Sequence, residues 1–270
     1  MAPITSFIRW AGGKSWLVPY VQELIKDLTI NNYFEPFMGG ASVFFAIDIA
    51  NNSMLSDINA ELVNMFCAVR DNPKRIIKYL TTYTPDEETY YRIRETEPRG
   101  KYQRAARFLF LNANSFNGLY RVNRQGKYNV PYGQKQVFVN TERLFDISKK
   151  LENVEMLCQD FEEIREYIHR GDLIFLDPPY TVSKDSNGFI EYNSTLFSLD
   201  DQYRLAAFVE YIDEVGAYYI LTNAAHETIA EIFQGTGRRI ELERNSLIGG
   251  KNSFRGKVME YIFTNIPERS

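Results

Sequence analysis

The chain has 270 residues, 44% of them apolar, and a net charge of −4 from 31 Lys and Arg against 35 Asp and Glu. The length fits one α/β domain with a sizeable insertion or two small domains, and the apolar content excludes wholesale disorder. The two cysteines stand in apolar stretches and read as neither a disulfide nor a metal site, and no run approaches the roughly 18 to 20 apolar residues of a membrane span.

The N-terminal MAPITSFIRWAGGKS lacks the apolar core of a signal peptide. Cys67 and Cys158 stand in apolar stretches and read as core thiols. A cytoplasmic, metal-free protein is therefore expected. WAGGKS, residues 10–15, is not a P-loop, because Ile8 stands where that motif needs its first Gly. Its Gly-Gly turn, with Trp10 and Lys14 beside it, suits closure over a cofactor.

YFEPF, residues 33–37, reads as a strand reaching Glu35, followed by Gly39, Gly40 and a helix-like apolar stretch. NSMLSDIN, residues 52–59, reads as a short strand ending at Asp57. An acid at the end of a second strand can accept hydrogen bonds from ribose hydroxyls, and glycines admit close backbone approach. The other reading is an ordinary Gly turn with a solvated Asp. A dinucleotide fingerprint is absent, since FMGGASVFF lacks the Gly-x-Gly-x-x-Gly spacing.

From residue 60 to 150 the pattern changes to helices and loops. Arg99 to Lys150 holds eleven basic residues against Glu142 and Asp146. A solvated helical face usually mixes signs, so a basic segment in an acidic chain suggests a local polyanion contact. VEMLCQD, residues 154–160, resumes the strand pattern and ends at Asp160.

LIFLDPPY, residues 173–180, carries the sharpest signal. Leu173 to Leu176 reads as a fully buried strand, and Pro178 and Pro179 cannot donate to a ladder, so the strand stops. Asp177 then sits at a carboxyl strand end, the edge where open α/β sheets bind ligands. The prolines also fix the following Tyr180. Asp-Pro is equally a common strand-to-turn signal. AYYILTN, RIELERN and VMEYIFTN follow as strands, the last two joined by a Gly-rich connection from Gly249 to Gly256. Strands alternating with helices predict an α/β fold with a mostly parallel, doubly wound, Rossmann-like sheet.

WAGGK, FEPFMGG with SDIN, and DPPY occur in that order, with FLFLNANSFNGLYRVNRQGKYNVPYG between the second and third, at residues 108–133. Together they resemble the Dam-type DNA adenine-N6 methyltransferases, the D12 class with the alpha order of motifs. The resemblance covers nearly the whole chain, and four blocks in order are highly specific. One departure is Gly-Gly in FMGGASVFF where relatives often show Gly-x-Gly.

The resemblance implies a methyltransferase sheet formed by residues 1–59 and 151–270, with a mainly helical target-recognition domain inserted at 60–150. It implies S-adenosylmethionine as methyl donor and double-stranded DNA as partner. Trp10 and Lys14 would line the donor pocket, and Phe37 and Gly39 would approach its methionine part. Asp57 would hold the ribose hydroxyls, Asp160 the adenine amino group, and Phe161 the adenine face. Asp177 would border donor and base alike. Asp177 and the Pro178 carbonyl would accept hydrogen bonds from the target amine, Pro179 would stiffen the turn, and Tyr180 would stack on a flipped adenine. Arg121 and Arg9 would read guanines, or else touch phosphate only. Asn117, Tyr120 and Tyr132 are further DNA candidates, and Arg124 and Lys127 are candidate phosphate contacts.

A short palindrome such as GATC is the expected site. A cognate restriction endonuclease is a compatible partner, and a monomer is the expected state. Two other readings stay open: a methyltransferase of RNA or of a protein amide, and a catalytically silent DNA-binding protein. The Asp of DPPY, where such RNA and protein enzymes commonly carry Asn, argues against the first.

Overall fold

The computed structural model describes residues 6–49, 52–181, 197–245 and 257–268. Its strands are β1 (Tyr33–Glu35), β2 (Ser53–Ser56), β3 (Val154–Leu157), β4 (Leu173–Leu176), β5 (Tyr218–Ala224), β6 (Arg238–Asn245) and β7 (Lys257–Thr264). Its α-helices are α1 (Val18–Ile25), α2 (Ser42–Ala46), α3 (Ala60–Asp71), α4 (Pro73–Leu80), α5 (Glu87–Arg94), α6 (Lys101–Asn114), α7 (Arg143–Lys150), α8 (Leu199–Val215) and α9 (Glu227–Ile232). This alternation is the expected Rossmann-like α/β class. Among the described residues, no helix is long and apolar enough to cross a membrane.

The chain divides into two compact units, Met1–Glu23 with Met38–Asp160, and Leu24–Phe37 with Phe161–Ser270. In the second unit the strand order is β1-β4-β5-β7-β6. β1, β4 and β5 run parallel, with Tyr33 opposite Leu173 and Leu173 opposite Tyr218. β7 reverses, pairing antiparallel with β5 and with β6. All four residues of β4 are buried, as a strand covered on both faces requires. Ser198 and Asp201 form a capping box that starts α8, and Gly216, at φ 81°, ends it in the left-handed conformation. The predicted Gly-rich connection from Gly249 to Gly256 lies outside the described residues.

In the first unit β2 and β3 pair in parallel, Ser53 opposite Val154, and α3 to α7 form the crossover between them. Asn59 caps α3 by accepting from the Glu61 and Leu62 amides. Asn72 caps α4, whose first residue is Pro73, and Asp86 caps α5. α6 packs against α3 and α4 and buries Ala105, Ala106, Phe108 and Leu109.

Two expectations need correction. KYNVPYG, residues 127–133, reads in sequence as a β-ribbon but does not form one, because only the single bridges Val122–Tyr128 and Ser115–Tyr132 pair around it. Pro131 can donate nothing to a ladder, and Asn123 to Gly126 closes a tight turn that leaves room for one pair. Nor is Cys158 a core thiol: it is exposed, and Cys67 is only half-buried. β3 alternates buried and exposed positions, and the chain turns outward past its end. Within the basic segment Lys101 pairs with Asp71, Arg104 with Glu61 and Lys127 with Glu97. Those acids precede the segment in the chain, Glu61 and Asp71 on α3, and folding brings them onto it.

Candidate active site

The end of β4 is fastened from the strands beside it. Leu176 is level with Leu221 of β5, so Thr222 falls beside Asp177. The Thr222 hydroxyl donates to Asp177 Oδ1 at 2.7 Å. A carboxylate oxygen with such a donor is held in one rotamer. Three residues on, the Tyr180 hydroxyl donates to Glu260 Oε2 at 2.7 Å, and Arg244 pairs with the other oxygen of Glu260. Burial pushes the Tyr180 phenol well above its usual range, and the Glu260 carboxylate pushes it further.

Thr181 completes the segment. Its hydroxyl donates to the Phe197 carbonyl at 2.9 Å and accepts from Gln202 of α8 at 3.0 Å. Gln202 in turn accepts from Asn223 at 2.8 Å. Adjacent residues of β5, Thr222 and Asn223, thus hold the start and the end of the Asp-Pro-Pro-Tyr-Thr run.

An aromatic cluster lies in the same unit. Phe37 stacks on Phe161 with centroids 5.3 Å apart, and Phe197 meets both rings. The Arg204 guanidinium sits 4.9 Å from the Phe161 centroid. Phe161 is buried among these neighbours, whereas Phe37 is only half-buried.

In the first unit, Gly39 follows β1 at φ 43°. A Cβ there would come within 2.7 Å of the Trp10 indole, so this close approach needs glycine. Asp57 accepts from the Gly39 amide at 3.1 Å and from the Asn59 amide at 2.9 Å. Burial raises its carboxyl above the ordinary value, and these two bonds pull it partly back. Lys14 is buried and donates to the Gly12 carbonyl at 3.0 Å. Asp160 is half-buried, three residues past β3.

Trp10 also stacks on Tyr120, at 5.6 Å, and on Phe108. Tyr120 is packed by this stack, and burial pushes its phenol up to about 12. Tyr132 donates to the Pro85 carbonyl and leans on the Tyr90 ring, so its hydroxyl and ring are both engaged.

Arg9 and Arg121 are both exposed. Asn112 clamps the Arg9 backbone, accepting from its amide at 2.9 Å and donating to its carbonyl at 2.7 Å. The Arg9 side chain crosses Gly118, at φ 67°, so closely that a Cβ would collide with it. Asn117 beside it is left-handed at φ 54°. The Arg121 Nε donates to Asn129 at 2.8 Å. Arg124 is exposed in the Asn123–Gly126 turn, and the Lys127–Glu97 pair is exposed enough to hold little energy.

The sequence reading missed Thr222, Glu260, Arg244, Gln202, Asn112 and Gly118. A signal existed for two of them: Glu260 interrupts the apolar VMEYIF, and Thr222 breaks the apolar run of AYYILTN.

A profile of the D12 class N6 adenine-specific DNA methyltransferase family matches residues 10–246. The chain is 34% identical to the type II methyltransferase M1.LlaDCHI of Lactococcus lactis subsp. cremoris, over 96% of this chain and 94% of that one. It is 33% identical to the type II methyltransferase M.MjaIII of Methanocaldococcus jannaschii, over 86% and 89% of the two chains. A DNA adenine methylase of Serratia marcescens is 33% identical over 74% of this chain and 76% of its own.

Proposed function

Since the chain belongs to the D12 class N6 adenine-specific DNA methyltransferases, we propose that it methylates a flipped adenine within a short palindrome, GATC foremost. The observation that carries this reading is Asp177, held by Thr222 at a strand end that two prolines close. The exocyclic amine of adenine shares its lone pair with the ring and is a poor nucleophile. Asp177 Oδ2 and the Pro178 carbonyl accept its two N–H bonds and favour a pyramidal nitrogen. A fixed acceptor incurs no reorganisation during the reaction, which is where positioning and electrostatic preorganisation act. The half-buried Tyr180 ring gives the extruded base a stacking surface.

S-adenosylmethionine, when bound, supplies the electrophilic methyl group. Among the residues assigned to it, Asp57 has the chemistry to hold such a group. The two backbone bonds to Asp57 leave lone pairs for a pair of ribose hydroxyls. Gly39 lets the Trp10 indole lie against its backbone, a position any side chain there would displace.

Target reading is assigned to residues 60–150 with Arg9. Arg121 takes one guanine bidentately and Arg9 another, while Arg124 and Lys127 contact phosphate. Relatives named type II methyltransferases support a cognate restriction endonuclease as partner. The test is incubation with labelled donor and duplexes carrying GATC and each single substitution of it. Label in GATC alone, with protection from a GATC-cutting endonuclease, is the expected result. Label in no adenine-containing duplex overturns the reading.

A further inference from the structure

We infer that Glu260 is a positioning residue for methyl transfer, acting through the Tyr180 hydroxyl and held in turn by Arg244. The inference rests on the base-stacking role proposed above for Tyr180. Glu260 lies on β7, between β5 and β6, opposite Ala224 of β5 and Leu242 of β6, and is 1% exposed. Packing alone would favour an apolar side chain there. A buried carboxylate survives only with good donors, and Glu260 has them in Arg244 on one oxygen and Tyr180 on the other. Arg244 pairs with Val258 across the β6–β7 ladder, which sets it diagonally from Glu260 on the same face.

Stability does not explain this arrangement, because a buried ion pair is often no better than apolar residues of the same volume. Orientation does. Pro178 and Pro179 restrict the backbone that leads to Tyr180, but its side chain keeps two free torsions. A hydrogen bond from the ring's far end to a fixed acceptor holds the first torsion by fixing where the hydroxyl oxygen lies, and it favours one value of the second because a phenolic O–H prefers the ring plane. The plane of the Tyr180 ring is then set by β7, just as the Asp177 carboxylate is set by β5. Phenylalanine would offer the same stacking area without a fixed orientation.

The test compares single-turnover methylation at saturating donor and duplex for the wild type, Tyr180→Phe, Glu260→Gln, the double variant and Asp177→Ala. Tyr180→Phe and Glu260→Gln should each slow transfer about tenfold, the loss of one charge-assisted hydrogen bond felt in the transition state. Dissociation constants for donor and duplex should stay within about twofold of wild type, a split that a purely structural defect would not give. The double variant should be no slower than the slower single one, because both remove the same bond. Multiplicative losses in the double variant overturn the inference, and so does a wild-type rate in Tyr180→Phe, which leaves Glu260 paired with Arg244 and tests the idea even if Glu260→Gln fails to fold. A fully active Asp177→Ala overturns the proposed methyl-transfer site itself. An inactive Asp177→Ala beside a wild-type Tyr180→Phe overturns only the role of Glu260.

Discussion

Thr222→Val tests the preorganisation of Asp177 with little else disturbed. Valine matches threonine in shape, so the fully buried site gains no cavity, and the 2.7 Å bond to Asp177 Oδ1 is lost together with the long 3.4 Å contact to the Leu176 carbonyl. A hydrogen bond to a charged acceptor is worth about 1.5–3 kcal/mol. If all of it is felt in the transition state, transfer slows about 10- to 150-fold. The carboxylate can recover part of this by rotating toward water, so the lower half of that range is expected. Rapid-quench single turnovers at saturating donor and duplex isolate the chemical step, and titrations of each ligand measure ground-state binding. Both affinities should hold, because Thr222 is assigned no contact with donor or DNA. A single-turnover rate within twofold of wild type would refute the claim that β5 orients Asp177. An equal loss in duplex affinity would show that the bond serves binding instead.

Three further outcomes are expected. Because burial raises the Asp57 carboxyl, its contribution to folding is fully present below its unfolded value and is lost as pH rises through the higher folded one. Donor affinity should move the opposite way, weakening on acidification from a higher pH than an ordinary aspartate would give, and calorimetry across pH on wild type and Asp57→Ala should show this slope only in the former. Gly118→Ala forces a left-handed alanine into the Arg9 side chain, costing about 1–2 kcal/mol of strain and lowering the melting temperature by about 2–8 °C; the duplex panel should show lost selectivity, and preserved selectivity would detach Arg9 from target reading. Arg121→Ala should relax one base pair of the site by about 1–3 kcal/mol, while Lys127→Ala should weaken every duplex alike and flatten the salt dependence; equal slowing of all duplexes by Arg121→Ala would make it a phosphate contact.

Local chemistry made much of this protein legible without coordinates. Proline cannot donate to a ladder, so LIFLDPPY had to end its strand at Leu176 and leave Asp177 at the edge. Asp57 closes the short strand that NSMLSDIN marks, one residue past Ser56. The basic window from Arg99 to Lys150 was legible as an excess of charge along the chain, but its pairings were not. Its charges were counted among near neighbours, while Glu61 and Asp71, which pair with Arg104 and Lys101, lie on α3, a different helix of the crossover.

What the tertiary structure alone decided is who holds the site residues. Thr222 is 45 residues from Asp177, and Glu260 is 80 from Tyr180. Apolar periodicity marks a strand but is silent on its neighbours in the sheet, since any buried strand can satisfy any other edge. Only the order β4-β5-β7 sets Thr222 level with Asp177 and brings the carboxylate of Glu260 to the Tyr180 hydroxyl. The residue types suited to adenine chemistry are thus written locally, and their orientation is a property of strand pairing.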